Sequence, residues 1–252
     1  MNEITLFGFN NLTKSLSFSL YKLHYLNDQH NRYNQFIKQR YSADKLNTVL
    51  TEICHTIGGN VLNIAKQDYQ PQGASVTLMI SEELQGDTLT KSLTESLVAH
   101  LDKSHLCIHT YPEESPQDGI AIFRADIELS TCGVISPLKV LNHVINAFDA
   151  DVIDIDYRIR GMTRDKQGKK LFIIDELENM SDHLSSTVIK KYNINEHNFL
   201  KQNLFHAKLG RKKITLSNCL FDKNTDRLPN DEQNEISAKL EKEILQLFMN
   251  TD

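Results

Sequence analysis

The sequence predicts an α+β fold, a layered α/β sandwich in which a mainly antiparallel sheet is covered by helices. Short runs of alternating apolar and polar residues, typical of half-buried strands, recur along the chain. Helical runs, with apolar residues three and four positions apart, interrupt them at irregular intervals. No low-complexity linker or internal repeat divides the 252 residues, so we expect one domain over residues 1–252.

The predicted strands follow the alternation. They cover residues 4–9, 16–25, 61–69, 74–80, 97–101, 105–110, 120–129 and 152–159, with a weaker run at 171–174. A turn at residues 71–73 joins the third strand to the fourth, because Pro71 and Gly73 favour turns. The polar stretch at residues 84–96 is interpreted as a surface insertion.

The predicted helices follow start signals, stop signals and apolar spacing. They cover residues 28–41, 43–57, 137–148, 179–192 and 232–248. Ser42 and Ser136 are the expected N-caps, and Pro137 takes the first helical position. Gly58-Gly59 ends the second helix. The last helix is amphipathic, with an inward side formed by Ile236, Leu240, Ile244 and Leu247.

Composition indicates a globular protein without a nucleic-acid or membrane partner. Hydrophobic residues make up 40% of the chain and charged residues 24%, and the net charge of -5 supplies no positive field toward phosphates. The basic run at residues 210–213 is therefore interpreted as a solvated face. No apolar run approaches the roughly 20 residues that span a bilayer, and the polar N-terminus lacks the apolar core of a signal peptide. We expect a cytoplasmic protein.

The four cysteines are scattered and predict free thiols. No CxxC pair occurs, which argues against a zinc knuckle or a disulfide framework. Cys54 and Cys107 are interpreted as structural. No histidine spacing predicts a metal site, and the metal ligands stay unassigned.

Residues 100–133 are unusually rich in reactive side chains. Ser104 lies between a lysine and a histidine, and His109, Glu113 and Cys132 follow. Such a set is compatible with a nucleophile and its base, but the alternation around Ser104 is equally that of an ordinary strand. A serine or cysteine hydrolase is disfavoured because no nucleophile elbow or papain-type motif is present. The residues alone leave the chemistry open.

Five segments resemble one known family. Residues 103–113 read Lys-Ser-His-Leu-Cys-Ile-His-Thr-Tyr-Pro-Glu, and residues 130–133 read Ser-Thr-Cys-Gly. Together they resemble the self-cleavage and active-site signature of the pyruvoyl-dependent S-adenosylmethionine decarboxylase proenzymes. Residues 8–18, 63–75 and 156–165 are similar to the longer bacterial type of this family. The resemblance covers residues 4 to about 175 well and the tail more loosely.

The resemblance implies a self-cleaving decarboxylase of polyamine biosynthesis. The chain would split between Lys103 and Ser104 into a β chain, residues 1–103, and an α chain, residues 104–252. Ser104 would become a pyruvoyl group that forms a Schiff base with the α-amine of S-adenosylmethionine and acts as the electron sink. His109 matches the processing base and Cys132 the proton donor.

The resemblance also implies residues for substrate binding and assembly. Glu113 matches a carboxylate that binds the ribose hydroxyls, Tyr69 an aromatic residue that stacks on adenine, and Ser75 a serine that assists processing. Longer bacterial relatives are associated with Mg²⁺. Small relatives dimerise, so we expect an oligomer of αβ heterodimers.

One geometric condition and two rival functions stay open. A straight strand would separate Ser104 from His109 by about 16 Å at roughly 3.3 Å per residue, so direct contact requires a turn at residue 104 or 105. A pyruvoyl-dependent arginine or ornithine decarboxylase would not need Tyr69 and Glu113. An uncleaved regulatory subunit would be expected to lose one of the three catalytic residues.

Overall fold

The computed structural model describes residues 11–26, 29–82, 104–113, 119–132, 135–164, 167–172, 177–221 and 228–251. The strands are β1 Thr13–Tyr25, β2 Gly59–Asp68, β3 Ala74–Glu82, β4 Ser104–Pro112, β5 Ile120–Cys132, β6 Val152–Arg160, β7 Thr163–Arg164, β8 Lys170–Leu171, β9 Tyr192–Phe199 and β10 Leu204–Arg211. The helices are α1 His30–Arg40, α2 Ala43–Ile57, α3 Leu141–Phe148, α4 Ser186–Lys191 and α5 Asn230–Met249. The predictions for residues 4–9, 84–96 and 97–101 lie outside the described residues.

Eight strands form one antiparallel sheet in the order β2-β3-β4-β5-β1-β6-β10-β9. The strand β1 lies inside the sheet, with β5 on one side and β6 on the other. The short strands β7 and β8 form a separate pair. This architecture, with helices on the sheet, confirms the predicted α+β fold.

One face of the sheet carries the main core. Alternate residues of β1, including Leu16, Phe18 and Leu20, are buried there against apolar side chains of α1, α2 and α3. The helix α2 lies over β2, β3 and β4. Each such side chain contributes roughly 1.5–3 kcal/mol when it is fully buried rather than exposed. Burial in this core therefore fixes the positions of the residues of β4 and β5 that face it.

The opposite face, which we call the open face, is polar over most of its area. On β1 it presents Ser15, Ser17 and Ser19, which alternate with the core residues. At the far end of β1 this face is covered by α5, whose buried residues Ile236 and Leu240 pack in one cluster with Leu23 and Val152. The helix α5 therefore covers one end of the open face and leaves the rest exposed.

The close approach of α5 to the sheet depends on Gly210. A Cβ atom at Gly210 would lie 2.7 Å from Cδ2 of Phe248, well inside van der Waals contact. The burial of Ile236, Leu240 and Ile244, with Leu247 partly buried beside them, confirms the prediction that the C-terminal helix is amphipathic and packs inward. No helix in the part of the chain that the structure describes is long and apolar enough to cross a membrane.

Two helical segments begin where they were predicted, but the serine side chains expected to cap them do not form the capping hydrogen bonds. The helix α2 begins directly after Ser42, yet the Ser42 side chain makes no capping bond; the Ala43 N–H instead donates to Oδ1 of Asp68 at 2.8 Å. Pro137 opens a 3₁₀ turn, Pro137–Val140, before α3 begins. The Ser136 side chain likewise makes no capping bond.

The tail differs most from prediction. The helix predicted at residues 179–192 is wrong as a single element: a 3₁₀ turn, Met180–His183, and the short α4 replace it, and Tyr192 begins β9. The strands β9 and β10 were not predicted. The strand β9 lies at the edge of the sheet, and three of its four exposed side chains, Asn193, Asn195 and His197, are polar, whereas the fourth, Phe199, is apolar. An edge strand with a largely polar exposed face has a weak apolar signal in the sequence.

The interpretation of residues 210–213 as a solvated face is wrong for Arg211. Its guanidinium lies 2.8 Å from carboxylate oxygens of Asp149 and Asp151, and Asp151 is only 2% exposed. Asp151 also accepts from the Leu23 N–H at 2.9 Å and from Lys22 at 3.1 Å. Through its ion pairs with Asp149 and Asp151, Arg211 therefore links β10 to β1 and to the start of β6, and its guanidinium does not face water.

Candidate active site

Ser104 begins β4 and is buried. Its side chain is on the core side of the strand, 1% exposed, and its Oγ accepts a hydrogen bond from the Cys132 N–H at 3.1 Å. Cys132 ends β5, is 8% exposed, and its Sγ lies 3.8 Å from Oγ1 of Thr13. We call Ser104, Cys132 and Thr13 the Ser104 cluster. The other half of the predicted cleavage site, Lys103, lies outside the described residues.

A buried lysine lies beside the Ser104 cluster. Lys14 is fully buried, pairs in register with Thr131, and donates from Nζ to the Ile135 carbonyl at 2.9 Å. The Thr131 hydroxyl donates to the same carbonyl at 3.3 Å. A buried ammonium needs such partners because its desolvation is costly. No local sequence signal marks Lys14 as buried, since a lysine in an alternating strand is ordinarily exposed.

His109 belongs to a second group on the open face. It pairs in register with Ser75 of β3, and both side chains are half-buried. The Tyr69 hydroxyl donates to Oγ of Ser75 at 2.7 Å. We call His109, Ser75 and Tyr69 the His109 cluster. The structure thus brings three predicted site residues together.

The two clusters lie apart. Ser104 and His109 are five residues apart on β4, an odd number, so their side chains point to opposite faces. At roughly 3.3 Å per residue the separation is about 16 Å. The turn at residue 104 or 105 that direct contact required is wrong: β4 keeps an unbroken register with β3 from Ser104 to His109. Hydrogen bonding to neighbours on both sides leaves β4 no freedom to turn there.

Glu113 follows β4 at the same end as the His109 cluster. Its Oε2 accepts from the Ile122 N–H at 2.9 Å, and its own N–H donates to the Ile122 carbonyl at 3.0 Å. Glu113 is exposed, so its second carboxylate oxygen is accessible to a ligand. The sequence analysis did not anticipate the bond to Ile122.

A groove of about 340 Å³ runs along the open face over the serines of β1. Small side chains at Ser15 and Ser17 form its floor, and side chains on β4, β5 and β6 form its walls. Arg160 donates from Nη2 to Oγ of Ser15 at 3.0 Å. The charged and polar wall residues are His105, Glu128, Ser130, Asp156, Arg158 and Arg160. The alternating serines of β1 were the available signal for this groove.

The cysteines outside the Ser104 cluster have raised pKa values. Burial raises the pKa of Cys54 and of Cys219 to about 11. Burial, and after it the nearby Glu128 carboxylate, raises the pKa of Cys107. These three thiols therefore stay protonated at neutral pH. Among the described residues, no group of three or more His, Cys, Asp or Glu side chains could hold a metal ion.

Comparison with known proteins identifies the family. A profile described as S-adenosylmethionine decarboxylase matches residues 38–161. An S-adenosylmethionine decarboxylase proenzyme of Pseudoalteromonas translucida (strain TAC 125) is 46% identical over 98% of this chain and 95% of its own length. The chain belongs to the S-adenosylmethionine decarboxylase family. This confirms the resemblance that the motifs of residues 103–113 and 130–133 predicted.

A second relative supports the same family assignment. An S-adenosylmethionine decarboxylase proenzyme of Photorhabdus laumondii subsp. laumondii is 45% identical over 98% of this chain and 97% of its own length. The match therefore includes the tail with β9, β10 and α5. The crystal structure of the adenosylmethionine decarboxylase from Aquifex aeolicus VF5 covers 68% of this chain at 16% identity and a TM-score of 0.38, a likeness too distant to add to the assignment.

Proposed function

We propose that this protein is a self-cleaving, pyruvoyl-dependent decarboxylase. It converts S-adenosyl-L-methionine to S-adenosyl 3-(methylsulfanyl)propylamine and CO2, which supplies aminopropyl groups for spermidine synthesis. The observation that carries the proposal is the contact between Ser104 and Cys132 in a chain that is 46% identical to an S-adenosylmethionine decarboxylase proenzyme. Residues 104 and 132 are far apart in sequence, and pairing of β5 with β4 and β1 brings them together.

Self-cleavage begins at Ser104. Its Oγ attacks the carbonyl carbon of Lys103, the C–N bond breaks, and the peptide becomes an ester. The imidazole of His109 acts as the base that removes the Cα proton of residue 104, and the Lys103 carboxylate leaves. Water then converts the resulting dehydroalanine to the pyruvoyl group and releases ammonia. The products are the β chain, residues 1–103, and the α chain, residues 104–252.

Cys132 serves as the proton donor in turnover. The pyruvoyl group supplies the electron sink that makes loss of CO2 possible. The carbon left after decarboxylation then needs a proton, and a thiol that is 8% exposed beside residue 104 can deliver it without competition from bulk water. Tyr69 and Glu113, at the other end of β4, bind adenine and ribose; a free basic amino acid would need neither.

The separation of the clusters favours a site built from two copies of the chain. His109 and Cys132 are both on the open face, because β4 and β5 alternate in register. When two open faces pack against each other about a two-fold axis, the His109 cluster of one copy can approach Cys132 of the other and, beside it, the backbone of residue 104, whose Cα proton the base removes. Arg158, Arg160 and Glu128 line the same groove on this face, so the face carries both signs of charge that a self-complementary surface needs. We therefore propose an oligomer of αβ heterodimers.

Three further features remain predictions. Magnesium dependence rests on the family resemblance, and the described residues suggest no ligand for it; assay after chelation and re-addition of Mg²⁺ tests it. A cytoplasmic location and the absence of a nucleic-acid partner rest on composition and charge.

Intact mass spectrometry under denaturing conditions tests the proposal. We expect two fragments of 103 and 149 residues, the larger one lighter by one ammonia than a fragment that begins with serine. Ser104→Ala should give an intact, inactive chain. Cys132→Ala should give a cleaved chain with poor decarboxylation of S-adenosylmethionine, and Cys54→Ala, the cysteine control, a cleaved and active one.

Each rival predicts a different result. A single uncleaved wild-type chain would point to a regulatory subunit. Cleavage with activity on arginine or ornithine, but none on S-adenosylmethionine, would change the substrate and keep the pyruvoyl chemistry. An active Ser104→Ala enzyme would end the pyruvoyl proposal.

A further inference from the structure

The hydroxyl of Tyr69 forms a direct side-chain contact with a predicted processing residue. It donates to Oγ of Ser75 at 2.7 Å. A phenol, with an ordinary pKa near 10, is a better donor than an aliphatic hydroxyl, so this direction is the favoured one. Oγ of Ser75 is then occupied as an acceptor, and the single hydrogen of Ser75 is left to donate elsewhere. A hydroxyl that accepts one bond also becomes a stronger donor in the next.

The turn that carries Tyr69 is held in place against β4. The Tyr69 N–H donates to the Gly73 carbonyl at 2.8 Å, which closes the turn. Gly73 has φ of 106° and approaches β4 so closely that a Cβ atom would lie 3.1 Å from the Thr110 carbonyl oxygen. The buried Thr110 hydroxyl accepts from the Ala74 N–H at 2.7 Å. Tyr69 is therefore fixed over Ser75 by the backbone of two strands.

The remaining hydrogen of Ser75 is free to point into the space beside His109. The two residues are register partners on β3 and β4, and side chains that face each other across an antiparallel pair have Cβ atoms about 5 Å apart. In the two-copy site, this is where the partner copy's cleavage site is expected. The attack of Ser104 on Lys103 places negative charge on the Lys103 carbonyl oxygen, and a preorganised donor stabilises such a charge.

We propose that Tyr69 is a positioning residue for self-cleavage, acting through Ser75. The Tyr69 hydroxyl holds Ser75 as an outward donor toward the oxyanion of the first step, the acyl shift from nitrogen to oxygen. The inference rests on the proposed function and adds to it a role for the hydroxyl that is separate from ring stacking. The ring, 38% exposed, stays available to adenine.

Tyr69→Phe separates the two roles because it keeps the ring and removes the hydroxyl. We expect self-cleavage, followed by pulse-chase after cell-free synthesis, to slow about three- to tenfold, the effect of losing one neutral hydrogen bond. Because Tyr69→Phe keeps the ring, the KM of the fully cleaved variant for S-adenosylmethionine should change by a much smaller factor than its cleavage rate. Tyr69→Leu should slow cleavage equally and also raise KM. Tyr111→Phe, another exposed tyrosine, is the matched control and should cleave at the wild-type rate.

Hydroxylamine identifies the step. It cleaves esters and spares peptide bonds under mild conditions, so it reports any ester that accumulates before elimination. Because the proposal places Tyr69 in the acyl shift, the slow Tyr69→Phe chain should contain no hydroxylamine-sensitive ester. An accumulated ester would move the effect to the elimination step and overturn the proposal, as would cleavage at the wild-type rate. Failure of the wild type itself to cleave would instead overturn the proposed function.

Discussion

The two ends of β4 differ in almost every physical respect. At one end Ser104 is 1% exposed, faces the core side and accepts a backbone hydrogen bond from Cys132. At the other end His109 is half-buried on the open face, beside Ser75. The strand between them is regular and bonded on both sides. Its regularity keeps His109, the proposed base, away from residue 104 within one chain, which makes a second copy the simplest way to bring the two together.

The largest effect should come from mixing two inactive variants. Ser104→Ala and His109→Ala should each stay uncleaved alone. When they are co-expressed with different tags, we expect cleavage of the His109→Ala chain only, because its Ser104 can use His109 of the partner copy. Mass spectrometry of each tagged chain measures this.

A matched mixture gives the control for that experiment. Ser104→Ala co-expressed with Cys54→Ala should show cleavage of the Cys54→Ala chain alone, as it does without a partner. If His109→Ala stays uncleaved in every mixture, the base and the nucleophile belong to one chain and β4 must rearrange.

A smaller effect should separate the two faces of β4. Ile108, on the core face, is fully buried, so Ile108→Ala should lower the free energy of unfolding by about 2–5 kcal/mol. Cys107, on the open face, is half-buried, and Cys107→Ala should cost about 1 kcal/mol or less. Urea denaturation of both variants in an uncleaved Ser104→Ala background, at one protein concentration, makes the comparison. Equal losses would mean that the open face is as deeply buried as the core in the assembled protein.

The smallest effect concerns the charge on the open face beside Cys107. Burial and the Glu128 carboxylate both raise the pKa of this thiol, so its thiolate forms only at higher pH than usual. Glu128→Gln removes the negative charge and should lower the pKa, which moves the alkylation midpoint of Cys107 to lower pH. Iodoacetamide labelling across pH, followed by peptide mass spectrometry, measures the midpoint. An unchanged midpoint would assign the whole shift to burial.

Much of the fold follows from local patterns. The strands β1, β5 and β6 were predicted because one face of each is apolar and the other polar. The helix α2 was predicted because its apolar residues repeat at helical spacing and a glycine follows them. In the structure Gly58 ends this helix with φ of 83°. The strands β9 and β10 were missed, since β9 is a polar edge strand whose pairing partner lies later in the chain.

The family was predictable from the sequence, but the arrangement of the candidate residues was not. The motif around Ser104, His109 and Cys132 identifies the family, yet no local signal shows whether the chain turns at residue 104 or 105. The structure shows a straight strand, which sends the side chains of Ser104 and His109 to opposite faces of the sheet. The burial of Lys14 was equally hidden, because it depends on the carbonyl of Ile135, far away in sequence. Contacts between distant segments are the part that a local pattern cannot contain.

The strand order has a consequence for what happens after the chain is cut. The strands β1, β2 and β3 precede the predicted cut before Ser104, and β4, β5, β6, β9 and β10 follow it. Yet β1 lies between β5 and β6, and β3 is bonded to β4. The two products are thus interwoven in one sheet, and neither can leave without unfolding the other. Once formed, the pair should neither dissociate on dilution nor exchange subunits with other molecules, so each new pyruvoyl end stays with the β chain of its own precursor.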